Sequence, residues 1–165
     1  MLVICPRPQA AAECKGDAVP DIRILVVEDM IVQSRAIARI LSPYGSCDCV
    51  SDGMEAVEAF QQALLDKKPY QLICMDINMP RMDGQEALRQ IRGIEKKCGM
   101  TPGKRTRILM TTAQNDPSNV VAALQGECDG YLLKPLNQDL LSQKLQEFGF
   151  AKKTPDEKKP GPAKK

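Results

Sequence analysis

Four apolar runs in this chain end on polar side chains of types that can do chemistry. Ile22-Arg23-Ile24-Leu25-Val26-Val27 ends on Glu28-Asp29, and Leu72-Ile73-Cys74-Met75 ends on Asp76. Arg107 to Met110 leads into Thr111-Thr112, and Gly130-Tyr131-Leu132-Leu133 ends on Lys134. Carboxylates brought within a few ångströms of one another repel unless a cation sits among them. All-oxygen donors with positions left for water suit Mg²⁺. A metal and a lysine can neutralise the oxygens of a phosphoryl group while a carboxylate attacks it in line. Taken singly, each signal is weak: an aspartate ending a strand is usually a turn former, and a lone lysine is usually on the surface. The reading rests on their joint placement.

Five strand patterns alternate with five helical ones. After the first strand, Val32, Ala36, Ile37, Ile40 and Leu41 recur at helical spacing, and Pro43 and Gly45 stop that helix. Ser46 to Val50 is a short strand. Asp52 with Glu55 has capping-box spacing ahead of Val57, Phe60, Ala63 and Leu64. Tyr70 to Met75 is the third strand. Asp83 with Glu86 repeats the cap before Ala87, Leu88, Ile91 and Ile94, and Gly93 to Arg105 reads as a helix end and polar loop. Arg107 to Thr111 is a strand; Asp116-Pro117 opens a helix over Val120, Val121 and Leu124. Gly130 to Leu133 is the fifth strand, and Asn137 caps a last helix with Leu140, Leu141, Leu145 and Phe148. Such alternation predicts an α/β domain with a parallel sheet covered on both faces. Ligands of such sheets bind beyond the carboxyl ends of the strands, where strand order reverses. In the order 2-1-3-4-5 that crevice lies between strands one and three, so Glu28, Asp29 and Asp76 converge.

Composition narrows the function classes. The chain has 165 residues, enough for one domain, and a net charge of +2, which steers it to neither nucleic acid nor membrane. No apolar run approaches the roughly 20 residues of a membrane helix. With no histidine at all, Ser-His and Cys-His catalysis and a phosphohistidine on this chain are excluded. The seven cysteines are scattered and lack zinc spacing, which predicts reduced, small hydrophobic side chains in a cytoplasmic protein. Residues 1–20 read as a flexible arm and 151–165 as a disordered lysine- and proline-rich tail for which nucleic-acid binding is not the expected role.

Val26-Val27-Glu28-Asp29, Met75-Asp76-Ile77-Asn78-Met79-Pro80-Arg81-Met82-Asp83-Gly84, Met110-Thr111-Thr112-Ala113 and Gly130-Tyr131-Leu132-Leu133-Lys134-Pro135 resemble the receiver domain of two-component response regulators. The resemblance spans about 21–150. It implies a flavodoxin-like (βα)5 three-layer sandwich with a five-stranded parallel sheet of order 2-1-3-4-5. It implies that Asp76 is phosphorylated by a sensor histidine kinase or a histidine phosphotransfer protein. Glu28, Asp29, Asp76 and the backbone carbonyl of Asn78 would hold Mg²⁺. Thr112, rather than Thr111, matches the switch hydroxyl and Tyr131 the switch aromatic. Lys134 would pair with the phosphoryl group, ahead of a cis Lys134-Pro135 bond. Glu28 stands where the family often has aspartate.

The function this implies is a single-domain, bacterial-type response regulator. Its phosphorylation would switch a face built from the fourth helix, fifth strand and fifth helix toward a downstream protein or a second copy of itself. The alternative is a phosphorelay intermediate or phosphate sink. Only self-phosphorylation from small donors and autodephosphorylation are expected as activities. A metal-dependent hydrolase on a similar fold commonly carries a second acid two residues after the nucleophile, where this chain has Asn78.

Overall fold

A computed structural model describes residues 21–113 and 128–152; the arm, the helix expected over Val120 and Leu124, and most of the tail fall outside these. Five strands, β1 (Ile22–Val27), β2 (Gly45–Val50), β3 (Leu72–Asp76), β4 (Arg107–Ala113) and β5 (Gly130–Lys134), form one sheet. All neighbours are parallel, in the expected order β2-β1-β3-β4-β5. The described helices are α1 (Ile31–Leu41), α2 (Gly53–Leu65), α3 (Gly84–Lys97) and α4 (Gln138–Glu147).

Strand periodicity divides the core in two. Leu25, Val27, Ile73, Met75, Ile108 and Met110 face one cluster, under Phe60 of α2 and Leu88 and Ile91 of α3. Ile24, Val26, Leu72, Cys74 and Leu109 face the other, under Ile37 and Leu41 of α1 and Leu141 and Leu145 of α4. Successive side chains of a strand point to opposite faces, so a strand covered on both faces must be apolar throughout. β3 is the clearest case, with all five residues buried, Asp76 included.

The expected caps form. The side chains of Asp52, Asp83 and Asn137 accept from the backbone N–H of Glu55, Glu86 and Leu140 at 2.9, 2.8 and 2.8 Å. Each such cap contributes about 1 kcal/mol. Glu55 reaches back to the N–H of Ser51 at 2.8 Å, one residue before the cap, while the Glu86 side chain instead pairs with Arg89.

Several boundaries and faces differ from the sequence reading. α1 buries Ser34, Ile37 and Leu41, while Val32 is 74% exposed and Ala36 also faces out. The helix is rotated toward its small hydroxyl residue, which leaves an apolar strip on its outer side. α3 runs through Gly93 to Lys97, because Arg92 and Glu95 turn inward and pin its last turn. β3 begins at Leu72; Tyr70 lies in the preceding turn, buried, with its hydroxyl donating to Asp48 at 2.8 Å. Among the described residues, Cys47, Cys49, Cys74 and Cys128 carry free thiols. Among the described residues, no helix is long and apolar enough to cross a membrane.

Candidate functional site

The carboxyl edge of the sheet gathers the expected side chains. Glu28 follows β1, and its N–H extends the ladder to β2 by donating to Val50 O at 3.1 Å. Val27 is paired with Met75, so Glu28 and Asp76 come side by side at the two strand ends. Asp76 is paired with Thr111 of β4, and Ala113 with Lys134 of β5. From that strand end the Lys134 amine reaches across β4. It donates to Asp76 Oδ2 at 2.7 Å and to Glu28 Oε2 at 2.8 Å. The Lys134–Pro135 peptide is cis, as the resemblance implied.

The pocket is closed on its inner side and open at Asp29. Glu28 and Asp76 are buried, Asp29 is exposed. Thr112 is fully buried, and among the described residues its hydroxyl makes only a long contact, to Ala113 O at 3.5 Å. Tyr131 is half-buried and packs against the cluster containing Met110 and Cys128. Burial pushes the Glu28 carboxyl above its ordinary value, against the pull of Lys134. Burial would lower Lys134, but hydrogen bonds to Asp76 and Glu28 outweigh it and hold the amine above the usual lysine range.

These residues fit a hard divalent cation. Glu28, Asp29 and Asp76 each offer a carboxylate oxygen, all within 4.8 Å of one another. Among the described residues, buried Glu28 Oε1 has no hydrogen-bond partner, leaving an unused lone-pair donor on the wall of the cluster. Asn78 is brought alongside by its N–H, which donates to Asp76 Oδ1 at 3.4 Å. One lysine against three carboxylates leaves the pocket electron-rich, as an octahedral Mg²⁺ site requires.

This electrostatic arrangement gives a pH prediction. Glu28 has a raised folded-state pKa, so its contribution to stability is fully present below about pH 4.5 and is lost as pH rises through the folded value. A bound cation offsets that loss, because it favours the ionised carboxylate. Mg²⁺ is therefore expected to raise the thermal midpoint near neutral pH and to have little effect near pH 4.5. Calorimetry with and without MgCl₂ at the two pH values measures the difference.

Gly84 closes the quoted motif, and its backbone is tightly constrained. A Cβ there would lie 2.1 Å from Asp76 O. The amino end of α3 thus sits directly on the Asp76 carbonyl, with Gly84 N–H donating to Ile77 O at 2.9 Å. Arg81 belongs to the quoted motif, but its contacts are not legible there. Its φ is 63°, and its guanidinium pairs with Asp52, the cap of α2, and with Glu55 in its first turn.

This fold and carboxyl-edge cluster define a class of protein. Residues 24–146 match the family model of the response regulator receiver domain, and the chain belongs to that family. Receiver domains are phosphoacceptor signalling domains. The two-component response regulator ORR41 of rice is 34% identical over 131 residues, covering 79% of this chain and 96% of that protein. Other curated relatives are much longer: the chain spans 46% of a Mycobacterium tuberculosis transcriptional regulatory protein and 10% of a yeast osmosensing histidine kinase. Among solved structures, the receiver domain of a Pseudomonas aeruginosa sensor histidine kinase, with magnesium coordinated in its active-site cleft, is 30% identical with a TM-score of 0.62, covering 78% of this chain and 97% of that one. The receiver domain of yeast Ssk1, solved together with the histidine phosphotransfer protein Ypd1, gives 32% identity and a TM-score of 0.67, covering 81% and 92%. Relatives thus come from fungi and plants as well as bacteria, and the bacterial label expected from sequence is not specific.

Proposed function

We propose that this chain accepts a phosphoryl group on Asp76 from a phosphohistidine on a sensor kinase or histidine phosphotransfer protein, and that the phosphorylated form changes its protein partners. The observation that carries this is the Lys134 amine, 2.7 Å from Asp76 and 2.8 Å from Glu28, beside the unpartnered Glu28 Oε1. An Asp76 oxygen attacks phosphorus as the bond to the donor imidazole breaks. Lys134 moves from the carboxylates onto a phosphoryl oxygen. The weakly held Thr112 hydroxyl donates to another, and Tyr131 follows it inward. Glu28, Asp29, Asp76 and the Asn78 carbonyl would hold Mg²⁺, which supplies charge neutralisation on the transferred oxygens. Small donors such as acetyl phosphate serve in place of the kinase, and water slowly removes the group.

Two outputs have support. Leu133 of β5 and Leu140 of α4, each 40% exposed, offer apolar surface to a downstream protein or a second copy. The match to nearly all of the rice regulator supports action as a single-domain response regulator. A phosphorelay role has its own support. Met30, Ile31 and Val32 are 54%, 64% and 74% exposed, immediately after Asp29. They adjoin a cavity of about 480 Å³ lined by Gln33, Ala36, Ile37 and Ile40 of α1 and by Lys134, Pro135 and Leu136. An apolar strip at the rim of a phosphoacceptor suits a histidine phosphotransfer partner, the kind of partner in the Ypd1–Ssk1 complex.

Mixing the protein with a phosphorylated histidine phosphotransfer protein and Mg²⁺ tests both readings; label that stays on the donor overturns them. Ile31→Asp with Val32→Asp is expected to slow that transfer at least about tenfold, the effect of losing one or two buried interface anchors. Phosphorylation by acetyl phosphate should be unchanged in the same variant, since the acid cluster is untouched.

A further inference from the structure

The loop from Ile77 to Asp83 joins the phosphoacceptor strand to α3, and it carries Asn78. Its start is tied to the sheet, with Ile77 N–H donating to Thr111 O at 3.0 Å, and its end closes back on that start, with Gly84 N–H donating to Ile77 O at 2.9 Å. Its middle is tied elsewhere, to the amino end of α2. Gly53 N–H donates to Met82 O at 3.2 Å, and the Arg81 guanidinium pairs with Asp52 and Glu55. The Asp52 side chain is 1% exposed, so its partner is a counter-ion to a buried charge as well as a surface contact.

The backbone at Arg81 makes this tie informative. Met82 N–H donates to Pro80 O at 2.8 Å across Arg81, whose φ of 63° lies in the left-handed region that favours glycine. A long cationic side chain has no backbone reason to stand there. Its side chain supplies the reason, because from this position it reaches two carboxylates on another helix.

We propose that Arg81 is a positioning residue that sets the Mg²⁺ affinity of the site: its ion pairs to Asp52 and Glu55 clamp the middle of the loop and hold the Asn78 carbonyl where the cation needs it. This rests on the reading of Asp76 as a Mg²⁺-dependent phosphoacceptor with Asn78 among the ligands. Groups that orient a metal's ligands without touching the metal commonly change affinity more than tenfold when removed. The sign of the effect separates positioning from charge. Deleting a cation near an acidic pocket strengthens cation binding if only the field matters. Releasing a ligand-bearing loop weakens it.

Titration calorimetry of Mg²⁺ into the wild type, Arg81→Gly and Arg81→Lys, with the Mg²⁺-free thermal midpoint of each, tests the proposal. Arg81→Gly is expected to weaken Mg²⁺ binding about tenfold with only a small drop in its metal-free midpoint, since Asp52 still accepts from Glu55 N–H and glycine relieves the left-handed backbone as the ion pairs are lost. Arg81→Lys, which keeps a charge on Asp52, should recover most of the affinity. Unchanged or tighter binding in Arg81→Gly overturns the proposal. So does a loss of affinity matched by a collapse of the metal-free midpoint in both variants, which would make Arg81 purely structural. If the wild type binds no Mg²⁺, the phosphoacceptor reading itself falls.

Discussion

Asp76→Asn is expected to take up no phosphoryl group from acetyl phosphate with Mg²⁺ or from a phosphorylated partner, under conditions where the wild type is labelled. An amide keeps the shape of the carboxylate but has no anionic oxygen to attack phosphorus. The variant should still fold. Lys134 retains Glu28 as a partner at 2.8 Å, and one of three mutually repelling carboxylates has been removed. Its stability without Mg²⁺ should therefore match or exceed that of the wild type, while the gain on adding Mg²⁺ shrinks because one ligand is lost. Asp83→Asn is the control. Asp83 is exposed and accepts from Glu86 N–H as a helix cap, a part that asparagine also plays, so phosphorylation should survive. Mass spectrometry of the intact protein distinguishes the outcomes. Equal labelling of Asp76→Asn and wild type would move the acceptor elsewhere and end the proposed mechanism.

The site was legible because a parallel sheet writes its geometry into the chain. Strands buried on both faces must be apolar until they end, so the first polar residue after each run marks the carboxyl edge. Glu28, Asp76 and Lys134 were found this way, and the structure brings all three into direct contact. Features that depend on contacts between distant segments were not legible. Arg92 and Glu95 look like ordinary surface charges on α3; only Thr106 and Asp129, far along the chain, show why they are buried. The outward apolar strip of α1 follows helical spacing as well as an inward one would, and spacing alone cannot say which side the sheet lies on. Arg81 stands in a turn whose glycine-like backbone is paired with charges on α2, and no local pattern announces that.

Arg92→Met is expected to destabilise the protein by about 3 kcal/mol, the low end of the range for removing one member of a buried ion pair. The network lies at the amino edge of the sheet, opposite the acid cluster. Arg92 Nη1 donates to Glu95 Oε2 at 2.6 Å and to Thr106 O at 2.9 Å, and Nη2 donates to Asp129 Oδ2 at 2.6 Å. The side chains of Arg92, Glu95 and Asp129 are 5%, 3% and 4% exposed, so little water can replace the lost donors. The figure sits at the low end because neither carboxylate is left bare. Glu95 still accepts from Thr106 N–H at 2.8 Å, and Asp129 from Ile108 N–H and Arg107, each at 2.8 Å. Urea unfolding should show a lower midpoint with an unchanged slope. Arg105→Ala gives the contrast: its guanidinium is 3.9 Å from Asp129 and 28% exposed, so the loss should stay under about 1 kcal/mol. Phosphorylation per folded Arg92→Met molecule should equal that of the wild type, because the network holds α3 to β4 and β5 at the far edge and touches none of Glu28, Asp76 or Lys134. A phosphorylation defect in folded Arg92→Met would instead mean that the far end of α3, whose amino end rests on the Asp76 carbonyl at Gly84, sets the geometry of the acid cluster along the whole length of the helix.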